Sequence, residues 1–208
     1  MRRKEHRREN ADAFTDLLFN VLIGFVFMFA VALIYMNPIA KTGTIETKAE
    51  YLITVTWPEG NASDVDTWVR DPAGNLVWYA AKDAGLMHLD RDDTGTTRDV
   101  ITVNGVTVEN PLNQEIVSIR GIVPGEFTVN VHIYAYDPGD LVSLDGAPPA
   151  IPIKVKVERI NPTVRVVFFD TIWLNRQGAE KTAVRFTIAP DGAVVDVNNL
   201  PRRLHGNS

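Results

Sequence analysis

A run of twenty residues decides most of what this chain can become. Residues 17 to 36, LLFNVLIGFVFMFAVALIYM, carry no charge and one amide, Asn20. At about 1.5 Å per residue, an α-helix of that length covers roughly 30 Å, the hydrocarbon thickness of a bilayer. A soluble helix so long would keep a polar stripe for water, and this run keeps almost none. The pattern predicts a transmembrane helix over 13–36.

The flanks orient it. The first ten residues, MRRKEHRREN, hold five Lys or Arg (Arg2, Arg3, Lys4, Arg7, Arg8), against two, Lys41 and Lys48, in the twenty after the run. Cytoplasmic flanks carry the excess of Lys and Arg, so 1–12 reads as a basic cytoplasmic tail and everything beyond about residue 40 as exported. A cleaved signal peptide would share the basic start, and Ala30-Val31-Ala32 resembles a cleavage site. The apolar run, however, continues through Leu33, Ile34, Tyr35 and Met36 with no polar cleavage region, so the helix is expected to stay attached. The expected location is a bacterial inner membrane, crossed once, with a periplasmic C-terminal domain.

After a polar linker, 37–48, the texture changes. Short runs rich in Val, Ile, Thr and aromatics alternate with Gly, Pro, Asn and Asp: 51–57, 65–70, 76–80, 100–103, 106–109, 115–121, 126–136, 152–159, 164–172, 183–189 and 193–197. Asn104-Gly105 between ITV and VTV calls for a type I′ hairpin, since that turn needs positive φ at both positions. Many strands with turn chemistry between them predict an all-β, sandwich-like extracytoplasmic domain over 49–200, followed by a mobile tail at 201–208. A composition 45% hydrophobic excludes a disordered chain, and a net charge of −5 argues against a nucleic-acid binder driven by phosphate neutralisation. Lacking Cys, the chain has no disulfide, no thiolate metal site and no Cys nucleophile. No nucleophile elbow, phosphate loop or HExxH is present, so no enzyme activity is expected.

One carboxylate stands out. Asp16 lies at the cytoplasmic end of the apolar run, and Asp12, Asp16, Asn20 and Gly24 recur every four residues on one helical face. An ionisable group in a membrane helix is a functional candidate by default. The plainer role is a headgroup-level acid complementing the positive helix N-terminus. Asn20, one turn further in, suits a hydrogen bond across a helix dimer or a place on an ion path. Thr15 offers an oxygen beside Asp16, or a helix cap.

A short basic tail, one span with an Asp near its cytoplasmic end, and an exported domain together resemble the MotB/ExbD/TolR family, the B subunits of ion-driven membrane motors. The resemblance covers roughly residues 10 to 40. It implies that Asp16 carries a translocated proton or sodium ion. It also implies that two copies sit as a homodimer inside a pentameric, polytopic A-subunit ring like MotA, ExbB or TolQ, coupled to an extracytoplasmic partner. The exported part departs from the family, showing neither the peptidoglycan-binding pattern of the MotB type nor the compact αβ domain of ExbD and TolR. The rival expectation is a passive β-sandwich binding module tethered by its helix.

Lesser candidates remain in the exported part. Asp64, Asp66 and Asp71, or Asp90, Asp92 and Asp93, could supply oxygen ligands to a structural calcium ion, although Asp-rich turns are the ordinary reading. Otherwise no cofactor is expected. Trp57, Trp68, Trp78 and Trp173 fall in predicted strands, where core packing is the usual fate and sugar stacking the alternative. His6, His88, His132 and His205 show no ligand spacing, and His132 alternates toward the polar face of its strand.

Overall fold

The computed structural model describes residues 2–36, 48–95, 99–143 and 146–206. The chain divides into two units, Met1–Glu46 and Thr47–Ser208. Most of the expected linker and the last two residues lie outside the described residues.

The first unit holds one helix, α1 (Arg2–Met36). Within it, Phe14–Leu33 is long and apolar enough to cross a membrane. Across Phe14–Leu33 the side chains are exposed apart from half-buried Val31, with Phe25 and Met28 each 68% exposed. The helix begins earlier than the expected residue 13, continuing back through the basic tail to Arg2. Charged straight-chain residues such as Arg, Lys and Glu are good helix formers, and the apolar run supplies the nucleus they extend.

The second unit is a sandwich of antiparallel sheets. Its strands are β1 (Tyr51–Trp57), β2 (Asp64–Arg70), β3 (Leu76–Val77), β4 (Asp83–Ala84), β5 (Met87–Arg91), β6 (Val100–Val103), β7 (Val106–Glu109), β8 (Asn113–Ile119), β9 (Gly125–Ala135), β10 (Ile151–Arg159), β11 (Arg165–Leu174), β12 (Glu180–Ile188) and β13 (Val194–Asn198). One sheet runs β11-β10-β1-β8-β5-β4, the other β13-β12-β9-β2-β3. Alternation sets the layers. In β1, Tyr51, Ile53, Val55 and Trp57 turn inward while Leu52, Thr54 and Thr56 are only half-buried. Register aligns Ile53 with Val157 on one side and Val117 on the other. Across the gap, the ring of Phe186 lies 6.0 Å from that of Tyr51 and 5.4 Å from Phe127. These contacts make one continuous apolar core spanning both sheets.

Strands β6 and β7 form a separate hairpin whose eight residues are all exposed. Its turn is the expected one: Asn104 has φ of 53° and Gly105 of 78°. Two strands were not anticipated, β4 and β5, because Asp83, His88 and Asp90 interrupt any apolar run there. Strand β3 stops at Val77, short of the expected residue 80, where Trp78 and Ala81 bridge across a turn.

The C-terminus also departs from expectation. Residues 199–206, read as the end of the domain and a mobile tail, lie as a strap on the outer face of the second sheet. Leu204 is 1% exposed there. Arg202 N donates to Thr182 Oγ1 at 2.8 Å, and Leu204 N to Glu180 Oε1 at 2.7 Å. The strap lacks strand propensity. It is held by side chains of β12 and β9 rather than by a ladder.

Candidate functional site

Asp16 and Asn20 both lie within the apolar window of α1, one helical turn apart and exposed. Thr15 precedes Asp16 on the same turn and is also exposed. The helix thus presents a carboxylate and an amide on one face of an otherwise apolar surface, with Gly24 continuing that face. An isolated helix cannot satisfy these groups in hydrocarbon. Neighbouring helices can, which is the usual setting of an intramembrane carboxylate.

The acidic residues of the β-unit have other occupations. Asp66 Oδ2 accepts from Nδ1 of His132, its cross-strand partner, at 3.1 Å, with both side chains buried. Because a carboxylate is acceptor-only, the bond places the His132 proton on Nδ1. Burial pushes the Asp66 pKa up, opposed by that hydrogen bond. Asp64, half-buried two residues earlier, is pushed to about 7 by burial and by the charges of Asp66, Asp92 and Asp93. Asp71 turns into its own loop, where Oδ1 accepts from Asn75 N at 2.8 Å and Oδ2 from Asn75 Nδ2 at 2.7 Å. The three are therefore not assembled as a calcium ligand set. Among the described residues no group of three His, Asp or Glu is placed to hold a metal. Asp90, Asp92 and Asp93 are each paired with a cation, Arg120, Lys82 and Arg91 in turn.

Inside the sandwich, Glu115 of β8 is 1% exposed and accepts from Thr67 N through Oε2. Strand β3 pairs with β2 only at Val69 and Arg70, which leaves that edge of β2 open at Thr67, and the Thr67 N–H bonds the Glu115 carboxylate of the opposite sheet. Burial holds the Glu115 pKa well above the usual carboxylate range. Its second oxygen and the nearby Thr67 hydroxyl are both buried without a well-formed hydrogen bond among the described residues.

The strap brings together residues that sequence spacing keeps apart. His205 stacks on His132, and both rings flank Trp68, with centroid distances of 5.4 and 6.0 Å. Trp68 in turn lies 4.7 Å from Trp78, and the aromatic contacts continue through Tyr79 to Tyr134. Trp57 is a core residue as expected. Trp68 is buried outside the core beneath the strap, and Trp173 is 57% exposed on β11. His132 does face the polar side of β9, yet it is only 5% exposed, because the strap covers that side. Asn130 on the same face anchors the strap: its Nδ2 donates to Glu180 Oε1 at 2.6 Å and to Arg202 O at 2.7 Å. No local signal marked Asn130 or Glu180. Alternation along Phe127–Ile133 did place Asn130 and His132 on the polar face.

The chain matches no family model, no curated protein and no solved structure. Its functional reading rests on the chemistry of its own residues.

Proposed function

We propose that the chain is the B subunit of a proton- or sodium-driven motor in a bacterial inner membrane. Two copies would place their helices inside a ring of polytopic A subunits, with N-termini cytoplasmic and β-domains periplasmic. The observation that carries this reading is Asp16, an ionisable group within the unburied apolar window Phe14–Leu33 of α1. Holding a fixed charge there costs insertion energy for no structural return, whereas a carrier must alternate between ionised and neutral forms. Asp16 would accept an ion from an outer half-channel, move as a neutral group past the dry interface, and release the ion inward. A membrane potential supplies about 2.3 kcal/mol per charge per 100 mV, enough to bias thermally accessible rotation steps. The β-domain would pass the motion to a periplasmic partner.

The test is purification of the full chain from its native membrane in mild detergent, with subunit counting, for wild type and Asp16→Asn. The expected result is a complex with a polytopic partner at five copies to two, recovered equally for both, with ion-driven output abolished only in the variant. Asn keeps size and polarity but cannot ionise. Asp12→Asn, one turn nearer the cytoplasm, should be milder. A chain that purifies without a polytopic partner, or an Asp16→Asn variant that works normally, overturns the motor reading. A membrane-tethered binding module then takes its place.

A further inference from the structure

Strand β11 is the outermost strand of the first sheet, and among the described residues no strand pairs with its other edge. It is ten residues long. The other outer strands of the two main sheets are shorter, β3 and β4 with two residues each and β13 with five. A long edge strand offers a row of N–H and C=O groups as a template for another chain.

Thr171, in mid-strand, shows which backbone groups form that row. Its N–H donates to Asp170 Oδ1, the side chain of its own neighbour, at 2.7 Å. It therefore points to the open edge rather than to β10, and by the alternation of an antiparallel ladder so do the backbone groups of Phe169 and Trp173. The side chains of these three residues share the outer face of the sheet. Their partners on β10 are Lys156, Lys154 and Pro152, which alternate with the buried Ile151, Ile153, Val155 and Val157. On that face Phe169 is 62% exposed and Trp173 57%.

We infer that β11 is a self-pairing edge, to which a second copy of the chain adds its own β11 antiparallel, joining the first sheets of two β-units into one. The order of residues in the strand selects the register. A two-fold axis perpendicular to the sheet sets one residue opposite its own copy. Centred on Asp170, it would oppose two carboxylates. Centred on Phe169 or earlier, it draws into the seam the bulge opposite Val157 and Glu158. Centred on Ile172, it leaves Phe169 beyond the end of the copy's strand. Centred on Thr171, the regular run 168–174 overlaps itself in full. Phe169 of each copy then lies opposite Trp173 of the other, and Thr171 opposite Thr171, all favourable cross-strand neighbours. The Thr171 N–H exchanges the exposed Asp170 carboxylate for the Thr171 carbonyl of the copy. An extended peptide from another protein would satisfy the backbone, but only a second β11 brings an aromatic ring to both Phe169 and Trp173.

Four aromatic side chains, each about half exposed, add roughly 400 Å² of apolar surface to the seam. Stable complexes bury about 1,200 Å² or more, so the pairing is reversible and gains from an anchor that keeps copies at high local concentration. It goes beyond the helix pairing of a motor subunit and stands whether or not Asp16 carries an ion.

The chain has no cysteine, so a single introduced one reports contact between copies. The test is disulfide formation by full-length Thr171→Cys in liposomes under a mild oxidant, against Lys154→Cys and Val195→Cys. In the paired state the two copies of residue 171 are about 5.5 Å apart at Cα, within the ~4.4–6.8 Å span of a disulfide. Residue 154, on the same face one strand further in, is about 14 Å from its copy, three strand spacings away. Val195 is 65% exposed on β13, the outer strand of the other sheet. Thr171→Cys is expected to cross-link faster than either control, whereas contact through α1 alone would give all three similar rates. Adding Phe169→Lys should slow it roughly 2- to 30-fold, the combined worth of two cross-strand aromatic pairs. Phe169 is exposed, so the fold should be retained, which thermal unfolding checks. No cross-link at 171, equal rates at the three positions, or a rate unmoved by Phe169→Lys overturns self-pairing through β11. Faster cross-linking at 195 places the seam on β13 and overturns it equally.

Discussion

The imidazole of His132, in the middle sheet strand β9, lies parallel to that of His205 in the C-terminal strap, 5.1 Å between ring centroids and 13° between planes. Only the strap makes this contact possible, and the strap is held by the burial of Leu204 and by bonds to Glu180, Thr182, Asn130 and Glu126. Its underside is what keeps Trp68, His132 and Asp66 from water.

Leu204→Ala is therefore expected to loosen the strap and destabilise the β-unit by about 2 kcal/mol, the low end for a buried leucine. For a unit of this size, each kcal/mol lowers Tm by about 2–4 °C. Tryptophan emission should shift to the red at the same time, as Trp68 becomes wet. An unchanged spectrum and Tm would mean that the strap contributes nothing to burial of the sheet face.

The raised carboxyl groups set a pH dependence. Glu115 and Asp64 both bind protons more tightly folded than unfolded. Between the unfolded carboxylate pKa of about 4 and the folded one, the native state holds the extra proton, so stability falls as pH rises. For Asp64, that loss runs from about pH 4 up through a folded pKa of about 7. The Glu115 contribution is likewise complete below about pH 4 and lost with rising pH as its folded pKa is passed. Glu115→Gln removes the ionisation yet keeps an acceptor for Thr67 N and adds a donor for the unpartnered Thr67 hydroxyl. Its Tm at pH 8 should exceed that of wild type, and the difference should shrink at pH 5. A variant less stable than wild type at pH 8 would show that the carboxylate is favourable in its ionised form.

How much of this was legible beforehand follows the range of the interactions. The helix, the core strands and the Asn104-Gly105 turn are written in local pattern: apolar continuity, alternation, and residues that tolerate positive φ. The short β4 and β5 have no such pattern and exist because β8 offers an edge to pair with. The burial of Trp68 and His132 depends on a strap whose anchors lie far along the chain, Asn130 to Arg202 for example. Asp16 was legible because a carboxylate beside an apolar run is a local anomaly.

The β6–β7 hairpin should prove separable from the rest. On one face it carries Ile101 opposite Val108 and Val103 opposite Val106, all more than half exposed, and on the other a Thr102–Thr107 pair. Neither face joins the core. Gly105→Ala places a side chain at φ of 78°, where only the hairpin turn is strained. Amide exchange in 100–109 should quicken while global stability moves by no more than the roughly ±0.5 kcal/mol typical of surface changes. A large fall in Tm would mean that the hairpin is part of the folding unit.

Asn20 provides the last expectation, because it separates a lone anchor from a paired one. It lies one turn from Asp16 on the same face, with mostly apolar residues around the rest of the Phe14–Leu33 window. An amide in hydrocarbon retains unmet donors and acceptors unless another polar group faces it. In a homodimer the symmetric partner is a second Asn20, and such interhelical bonds contribute about 0.6–2 kcal/mol. Asn20→Leu should therefore weaken self-association of α1 by roughly 3- to 30-fold, read by energy transfer between labelled helices in liposomes. Asn20→Gln, which keeps the amide on a longer stem, should recover part of it. Insertion itself should improve in the Leu variant, since an amide is replaced by an apolar group. If Asn20→Leu associates as tightly as wild type, the amide does not join two copies, and its face is left for another helix to cover.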